Sequence, residues 1–138
     1  MENQNQENMI DKVALLCIKD KKILMAKSRG KDVYYIPGGK RQGQETDAET
    51  LVREIKEELN VELLPESIKH YGVFEAQAHG KPLGTVVRMS CYMSEFKGEI
   101  EPSSEMQDIA YYDYRQRDIV GPVDQLIFDD LKSNGIIN

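Results

Sequence analysis

Cysteine is scarce in this sequence, with only two residues among 138. Cys17 and Cys91 stand in apolar segments typical of strands, and neither belongs to a Cys-x-x-Cys pair of the kind used in metal and redox motifs. This argues against a disulfide framework and against a thiol-based metal or redox site. We therefore expect two buried, reduced thiols, as in a cytoplasmic protein.

Long apolar runs are also missing. No stretch has the length and hydrophobicity of a membrane-spanning helix, so we expect no membrane contact. Residues 1–9 are polar, without the basic start and apolar stretch of a signal peptide, and we expect them to form a disordered tail. The remainder, 10–138, has no internal repeat and fits a single cytoplasmic domain with an ordinary core.

Basic residues are outnumbered, because 18 lysines and arginines face 24 acids and leave a net charge of −6. Proteins that bind nucleic acid stably present a basic stripe, so we expect no stable nucleic-acid partner. Removal of RNA caps is disfavoured for the same reason. A mononucleotide ligand remains open, since a bound Mg²⁺ reverses the local sign of the electric field.

The residues after position 45 predict a helix over 46–59. Thr46 and Glu49 have the spacing of a capping box, in which each side chain accepts a hydrogen bond from the other residue's backbone amide. Asn60 stands where the helix should end, and asparagine tolerates the left-handed conformation of a C-cap. The apolar residues fall on one helical stripe, formed by Ala48, Leu51, Val52, Ile55 and Leu59.

Three glutamates share another face of this helix. Glu54, Glu57 and Glu58 are spaced i, i+3, i+4, so their carboxylates repel one another on adjacent turns. Such a run is often only a solvated surface. Here no lysine stands four residues on, and the upstream Gly38 and Gly39 let the backbone approach a ligand closely. Because Mg²⁺ prefers a few carboxylates with waters and substrate phosphates, the pattern favours a metal and phosphate site.

These residues resemble the signature of the Nudix hydrolases. That signature reads Gly, five residues, Glu, seven residues, Arg-Glu-aliphatic, one residue, Glu-Glu, one residue, Gly, aliphatic. Asn60 replaces the second glycine, a change at the helix cap rather than at a ligand. The segment Tyr35-Ile36-Pro37 before the glycines also resembles the usual entrance to this motif. The matched positions are Gly39, Glu45, Arg53, Glu54, Ile55, Glu57, Glu58 and Val61.

The resemblance implies an α/β fold, the Nudix α/β/α sandwich, in which a mixed β-sheet lies between helices over residues 10–134. Alternating apolar residues and turn residues along the chain predict its parts. The predicted strands are 13–18, 23–27, 33–36, 69–78, 85–96 and 109–114, and a closing helix is predicted over 122–133.

The resemblance also implies a reaction. In this family, water attacks a phosphorus atom within a nucleoside diphosphate that is linked to another group. Mg²⁺, or alternatively Mn²⁺, would be held by Glu57 and Glu58 together with Glu54. The backbone of Gly39 and the loop residue Glu105 would supply further metal contacts.

Three further roles follow from the same resemblance. Either Glu54 or Glu105 would act as the general base, since family members differ on this point. Arg53 is expected to orient the glutamates through a bidentate contact rather than touch substrate. Glu45 is expected to make a supporting or outer metal contact. The order Glu105 to Tyr111 resembles the family pattern of a glutamate before an aromatic residue at the start of a strand.

The sequence leaves several classes of nucleotide substrate open. The features that mark NADH pyrophosphatases, many ADP-ribose pyrophosphatases and many diadenosine polyphosphate hydrolases are absent, and 76–79 read Ala-Gln-Ala-His. The small size resembles enzymes that act on (deoxy)nucleoside triphosphates, which we take as the expected substrate class. An ADP-ribose or nucleotide-sugar pyrophosphatase is the alternative. A sensor domain that binds nucleotides without hydrolysis is a second one, although sensors tend to lose acids that this chain keeps.

Several residues are candidates for contacting a nucleotide substrate. Gly38 and Gly39 would shape the turn beside the phosphates, and Arg29 and Lys31 could meet a terminal phosphate. Strand aromatics serve packing as often as base stacking. The aromatic candidates for stacking are Tyr34, Tyr35, Phe74 and Tyr92. No role is assigned to the two histidines, and a homodimer is considered because many family members pair.

Overall fold

The computed structural model describes residues 8–138, so the predicted tail lies almost wholly outside the described residues, and Met9 already begins a strand. The helices are α1, Asp47–Leu59, and α2, Pro122–Ser133, with 3₁₀ turns at Pro65–Ser67 and Tyr114–Ile119. The strands are β1 Met9–Leu15, β2 Ile18–Lys19, β3 Lys22–Ser28, β4 Gly38–Gly39, β5 Glu62–Leu63, β6 Lys69–Gln77, β7 Val86–Met93, β8 Phe96–Lys97 and β9 Met106–Tyr112.

The larger sheet has the strand order β4-β1-β7-β6. Strands β1 and β7 run parallel, whereas β4 and β6 pair antiparallel with their neighbours, so the sheet is mixed as predicted. A second, antiparallel sheet has the order β2-β3-β9, and β5 pairs with β8. Strand β1 is therefore an interior strand and contributes side chains to both faces of its sheet.

The two faces of the sheets pack against different helices. Val13 and Leu15 of β1 belong to the core under α1, together with Ile55 of that helix. Ala14, between them, belongs to the core under α2, together with Phe128. The sheets thus lie between α1 and α2, which confirms the predicted α/β/α sandwich. Both cysteines are buried and free. Within residues 8–138, no helix combines the length and apolar composition needed to cross a bilayer.

The strand predicted over 33–36 is wrong. Tyr34 and Tyr35 form only isolated bridges, and the pairing with β1 is made by Gly38 and Gly39 instead. A Cβ atom on Gly38 would overlap the Val13 carbonyl, so only glycine permits this close approach. Hydrophobic alternation cannot reveal a strand made of two glycines. The strands predicted over 13–18, 85–96 and 109–114 exist with shifted ends.

Candidate functional site

Helix α1 is fixed at both ends by the predicted caps. The Thr46 amide donates to Glu49 Oε1 at 2.9 Å, and the Glu49 amide donates to Thr46 Oγ1 at 3.1 Å. At the other end Asn60 adopts the left-handed conformation with φ 58°, and its amide donates to the Lys56 carbonyl at 3.0 Å. These contacts set the phase of the helix and so decide where its glutamates point.

Arg53 binds two of the acids in the motif. Its Nε and Nη2 atoms donate to both Glu45 oxygens, at 2.7 and 2.9 Å, and Nη1 donates to Glu54 Oε1 at 2.8 Å. The Thr50 hydroxyl donates to the same Glu45 carboxylate at 3.0 Å. These hydrogen bonds, above all those from Arg53, lower the pKa of Glu45 to about 2. Arg53 therefore joins the loop before α1 to the acidic face of the helix.

Glu54 and Glu58 converge on the glycine turn. A Cβ atom on Gly39 would overlap the Glu54 carboxyl group, so glycine leaves the space that this side chain fills. The Gly38 amide donates to Glu58 Oε1 at 3.3 Å. Burial, followed by the charge of Glu54, raises the pKa of Glu58 to about 8. These two carboxyl groups thus share a poorly solvated space.

Glu57 differs from the other two glutamates of the helix. Its side chain is 60 % exposed, and Oε1 lies 3.6 Å from Arg53 Nη1. Within residues 8–138, no three acidic, histidine or cysteine side chains are gathered closely enough to ligate one ion by themselves. The donor set nevertheless fits Mg²⁺, which takes one or two carboxylates and completes its coordination with waters and substrate phosphates. Glu54 and Glu58 would supply that pair, and Glu57 is exposed beside them on α1.

The loop residue Glu105 faces the same region. It is exposed just before β9, and its carbonyl accepts a hydrogen bond from the Arg29 amide at 3.1 Å. Burial, and with it the negative charges of Glu58, Glu105 and Glu54, raises the pKa of Tyr35 to about 12. The Tyr35 hydroxyl, 2.7 Å from Ser28 Oγ, therefore lies within the electrostatic reach of all three carboxylates.

A cavity of about 360 Å³ opens beside these acids. Glu58 and Gly38 lie at one part of its wall, and Asp124 at the start of α2 forms another part. The acidic face of α1 and the cavity are therefore contiguous, with Glu58 belonging to both. The polar side chains on the wall are Lys12, Ser28, Lys31, Asp32, Tyr35, Glu58, Gln77, His79, Lys81 and Asp124.

The predicted substrate contacts divide into two groups. Gly38, Lys31 and Tyr35 line the cavity, whereas Arg29 does not, and its Nε atom donates to the Ser104 carbonyl at 3.0 Å. The remaining aromatic candidates serve packing. Tyr34 stacks edge-on against Tyr112, Phe74 packs against the core under α2, and Tyr92 bonds Asp47 on the α1 side.

Two residues that line the cavity were not predicted from the sequence. Lys12 is a charged residue in the interior strand β1, and Ile10 and Ala14, two positions to either side, pack in the core under α2. Asp124 is only 4 % exposed and stands at i, i+3, i+4, i+7 with the buried Ile127, Phe128 and Leu131. An acid on an apolar helical stripe is the signal that could have identified it. Burial raises the pKa of Asp124 to about 7, against the attraction of Lys12.

The fold and site together describe an α/β/α sandwich in which a capped, acidic helix and a glycine turn border a cavity. The NUDIX domain model matches residues 9–126 of the chain. The chain therefore belongs to the Nudix family and is a hydrolase of phosphoric anhydrides. A search of curated proteins finds no match.

Solved structures share this fold at low sequence identity. The E. coli ORF135 protein has a TM-score of 0.71 and 22% identity, over 91% of this chain and 89% of that one. The MutT protein from Methanosarcina mazei Go1 has a TM-score of 0.73 and 15% identity, over 92% and 95%. A bifunctional NMN adenylyltransferase/ADP ribose pyrophosphatase from Francisella tularensis, complexed with AMP and a Mn ion, has a TM-score of 0.65 and 20% identity, over 96% and 47%.

Proposed function

We propose that the protein hydrolyses nucleoside triphosphates or deoxynucleoside triphosphates to the monophosphate, in the presence of Mg²⁺ or Mn²⁺. The observation that carries this proposal is the double position of Glu58, which belongs to the acidic face of α1 and to the cavity wall. A ligand with its nucleoside in the cavity would place its phosphates beside Glu54 and the glycine turn. That is the arrangement a pyrophosphohydrolase needs.

The size of the cavity favours this substrate class over the alternatives. About 360 Å³ is near the lower end of the roughly 300–1,000 Å³ found for small-molecule sites. One nucleoside suits such a space better than the two nucleosides of NADH or a diadenosine polyphosphate. ADP-ribose and nucleotide sugars remain the alternative, and the Francisella tularensis relative includes an ADP ribose pyrophosphatase.

Glu57 and Glu58, with Glu54, would hold the metal ion, and the Gly39 backbone and Glu105 would add contacts. When bound, the ion offsets phosphate charge and lowers the pKa of a coordinated water. Water attack on the α- or β-phosphorus forms one new phosphorus–oxygen bond and breaks the anhydride bond between them. The phosphate group that is not attacked leaves with the bridging oxygen, and the products are the monophosphate and pyrophosphate. The chain's own part is to hold the phosphates, to orient the acids and to accept the proton of the attacking water.

Two residues compete for the role of proton acceptor. Glu54 is held by Arg53 Nη1 at 2.8 Å and lies against Gly39, so its position is well defined. Glu105 is exposed on the loop before β9, close to the start of that strand. Glu54→Gln and Glu105→Gln variants decide between them, because loss of the base removes the acidic limb of the rate–pH profile, whereas loss of a metal contact raises the metal concentration required.

Arg53 is a positioning residue in this scheme. Its planar fork occupies both Glu45 oxygens and leaves one nitrogen for Glu54. A guanidinium group so engaged has little capacity left for a substrate phosphate. Its effect on the reaction therefore passes through the position of the Glu54 carboxyl group.

The test is release of phosphate or pyrophosphate from a panel of nucleotides with about 5–10 mM Mg²⁺ or Mn²⁺, a range chosen for weakly held ions. The panel contains canonical and oxidised dNTPs, ADP-ribose, NADH, diadenosine polyphosphates and nucleotide sugars. Turnover should require metal and should fall at least about 10²-fold in Glu57→Gln. Glu62→Gln is the matched control, since Glu62 is exposed and lies 3.9 Å from Lys56. Binding without turnover across the panel would instead support a nucleotide sensor.

A further inference from the structure

Arg29 fastens the loop that carries Glu105 at two points. Its amide donates to the Glu105 carbonyl at 3.1 Å, and its Nε atom donates to the Ser104 carbonyl at 3.0 Å. A turn closed by the Lys31 amide and the Ser28 carbonyl, at 3.1 Å, holds Arg29 directly beyond the end of β3. The Arg29 side chain therefore extends the contact between β3 and β9 past the point where their strand pairing stops.

The pairing of these two strands is irregular at the same place. The register with β9 shifts by one residue between Lys27 and Ser28, so that Gln107 is an extra residue in β9, as in a β-bulge. Bulges re-aim neighbouring side chains and are frequent next to active sites. Glu105 lies on the loop side of this irregularity, where strand pairing no longer defines its position.

The other side of the loop is tied to the acidic helix. The Ser103 amide donates to the Glu58 carbonyl at 2.9 Å, in the last turn of α1. Glu105 stands two residues further along the chain, and the contacts from Arg29 follow at once. The loop is therefore held between α1 on one side and the end of β3 on the other, with Glu105 next to the second tie.

Stability alone explains the Arg29 side-chain contact poorly. Arg29, Ser104 and Glu105 are exposed, and a hydrogen bond in water contributes little to the free energy of folding. The loop already has apolar anchors on both sides, since Ile100 packs against the core under α1 and Met106 is buried. What the contact adds is a defined position for the exposed residues between these anchors.

We propose that Arg29 is a positioning residue for Glu105. Its Nε–H group, rather than its charge, holds the Ser104 carbonyl and so keeps the Glu105 carboxylate on the side of the site occupied by Glu54 and Glu58. This inference rests on the proposed function in giving Glu105 a part in hydrolysis, as the general base or as a metal contact. It also gives a role to Arg29 that fits its place outside the cavity wall.

Three substitutions at Arg29 separate the donor from the charge. Arg29→Gln keeps a donor, because glutamine Nε2 stands as many bonds from the backbone as arginine Nε, but it removes the charge. Arg29→Lys keeps the charge and places a methylene group where Nε was. Arg29→Met removes both. If the donor matters, the glutamine variant retains function and the other two lose it.

Turnover is measured on the panel compound that the wild type hydrolyses fastest. Arg29→Met and Arg29→Lys should each lower kcat about 10-fold, as expected for a small misplacement of a reacting group, and leave KM nearly unchanged. Arg29→Gln should behave as the wild type. In a Glu105→Gln background, Arg29→Met should have no further effect, because the two residues act through one element. Arg88→Met is the control, since Arg88 is an arginine paired with Glu75 outside the cavity wall.

Amide hydrogen exchange follows the loop without any need for turnover. The amides of Ser103 and Met106, which donate to the Glu58 and Ser103 carbonyls, should exchange faster in Arg29→Met and Arg29→Lys than in the wild type and Arg29→Gln. Equal exchange in all four proteins would overturn the proposal.

The kinetic results can overturn it in three further ways. Full turnover in Arg29→Lys with a raised KM in Arg29→Gln would show that the charge contacts substrate. An undiminished effect of Arg29→Met in the Glu105→Gln background would show that Arg29 acts by another route. Full turnover in Glu105→Gln alone would leave no effect for Arg29 to transmit. A wild type that hydrolyses no panel compound would contradict the proposed function instead, and the exchange experiment would still decide whether Arg29 holds the loop.

Discussion

Glu45 and Asp124 show two ways in which this protein treats a carboxyl group. Glu45 receives both arms of Arg53 and the Thr50 hydroxyl, and the pKa of Glu45 falls to about 2. Asp124 is more deeply buried, has one carboxyl oxygen without a hydrogen-bond partner within residues 8–138, and has its pKa raised to about 7. The first carboxylate is satisfied by the chain itself. The second lacks part of the hydrogen bonding that a buried carboxyl group needs.

Glu58 belongs with Asp124 in this comparison. It receives one long hydrogen bond from the Gly38 amide, repels Glu54, and has its pKa raised to about 8. Glu45 is therefore fully paired within the protein, whereas Glu58 and Asp124 on the cavity wall are left short of partners. Under the proposed function, this difference separates Glu45, which organises the site, from Glu58, which would contact the metal ion.

Glu58→Gln should have the largest effect on turnover of the four substitutions. A small effect would contradict the distinction between Glu45 and Glu58. Loss of an acid at the junction of cavity and helix should lower turnover by about 10²- to 10⁴-fold. Folding should be unimpaired, because burial already disfavours the charge that is removed. Steady-state hydrolysis with chemical denaturation checks both, with Glu62→Gln as control. Full activity would place the metal-binding acids elsewhere.

Asp124→Asn should change how stability depends on pH. Because the folded-state pKa of about 7 exceeds the ordinary value of 3.8, the folded protein holds this proton more tightly than the unfolded chain. The wild type therefore loses stability as pH rises through about 4 to 7, and the variant lacks this loss. The variant should gain on the order of 2–4 kcal/mol relative to wild type between pH 4 and 8. Free energies of unfolding in urea that change with pH in the same way for wild type and variant would contradict the expectation.

Arg53→Lys tests the pairing of Arg53 with Glu45. Lysine keeps the charge but cannot occupy both Glu45 oxygens and Glu54 together. Turnover should fall about 10-fold through misplacement of Glu54. The low pKa of Glu45 contributes stability above pH 4.5 that is lost as pH falls toward about 2. The stability difference between wild type and variant should therefore narrow in that acid range, and a constant difference would argue against the pairing.

Asn60→Gly should have the smallest effect. Asn60 already holds the left-handed cap conformation with φ 58°, so glycine relieves strain of no more than about 1 kcal/mol. The acidic face should be unaffected and turnover unchanged. Thermal melting and the hydrolysis assay check this together. A large loss of activity would show that the C-cap, and not only the N-terminal contacts, positions the glutamates.

The helix and its caps could be predicted from sequence because their determinants are local. Thr46, Glu49 and Asn60 lie within one short segment, and each makes the contact that its residue type favours. The two-glycine strand could not be found in this way, since Gly38 and Gly39 pair with β1 through backbone shape rather than through side-chain alternation. Tyr34 and Tyr35 look like a strand for the same local reason and are not one.

The cavity lay beyond sequence reasoning because its parts are distant along the chain. Lys12 comes from β1, Glu58 from α1 and Asp124 from α2, and no local pattern joins them. The motif predicted which acids share the helix face. It could not show that Glu58 also enters a cavity, or that Arg29 points to Ser104 instead. The roles of the predicted metal-binding acids remain predictions.

The parallel pairing of β1 with β7 also bears on how the protein reaches its active form. Met9 pairs with Val86. The long segment between them must therefore close into a loop before the hydrogen bonds between β1 and β7 can form. Contacts between distant segments slow folding, whereas α1 can form from its own capped sequence. The motif helix is thus a fast-forming unit, whereas the pocket beside it requires closure between distant segments. Nucleotide binding during refolding would report that closure.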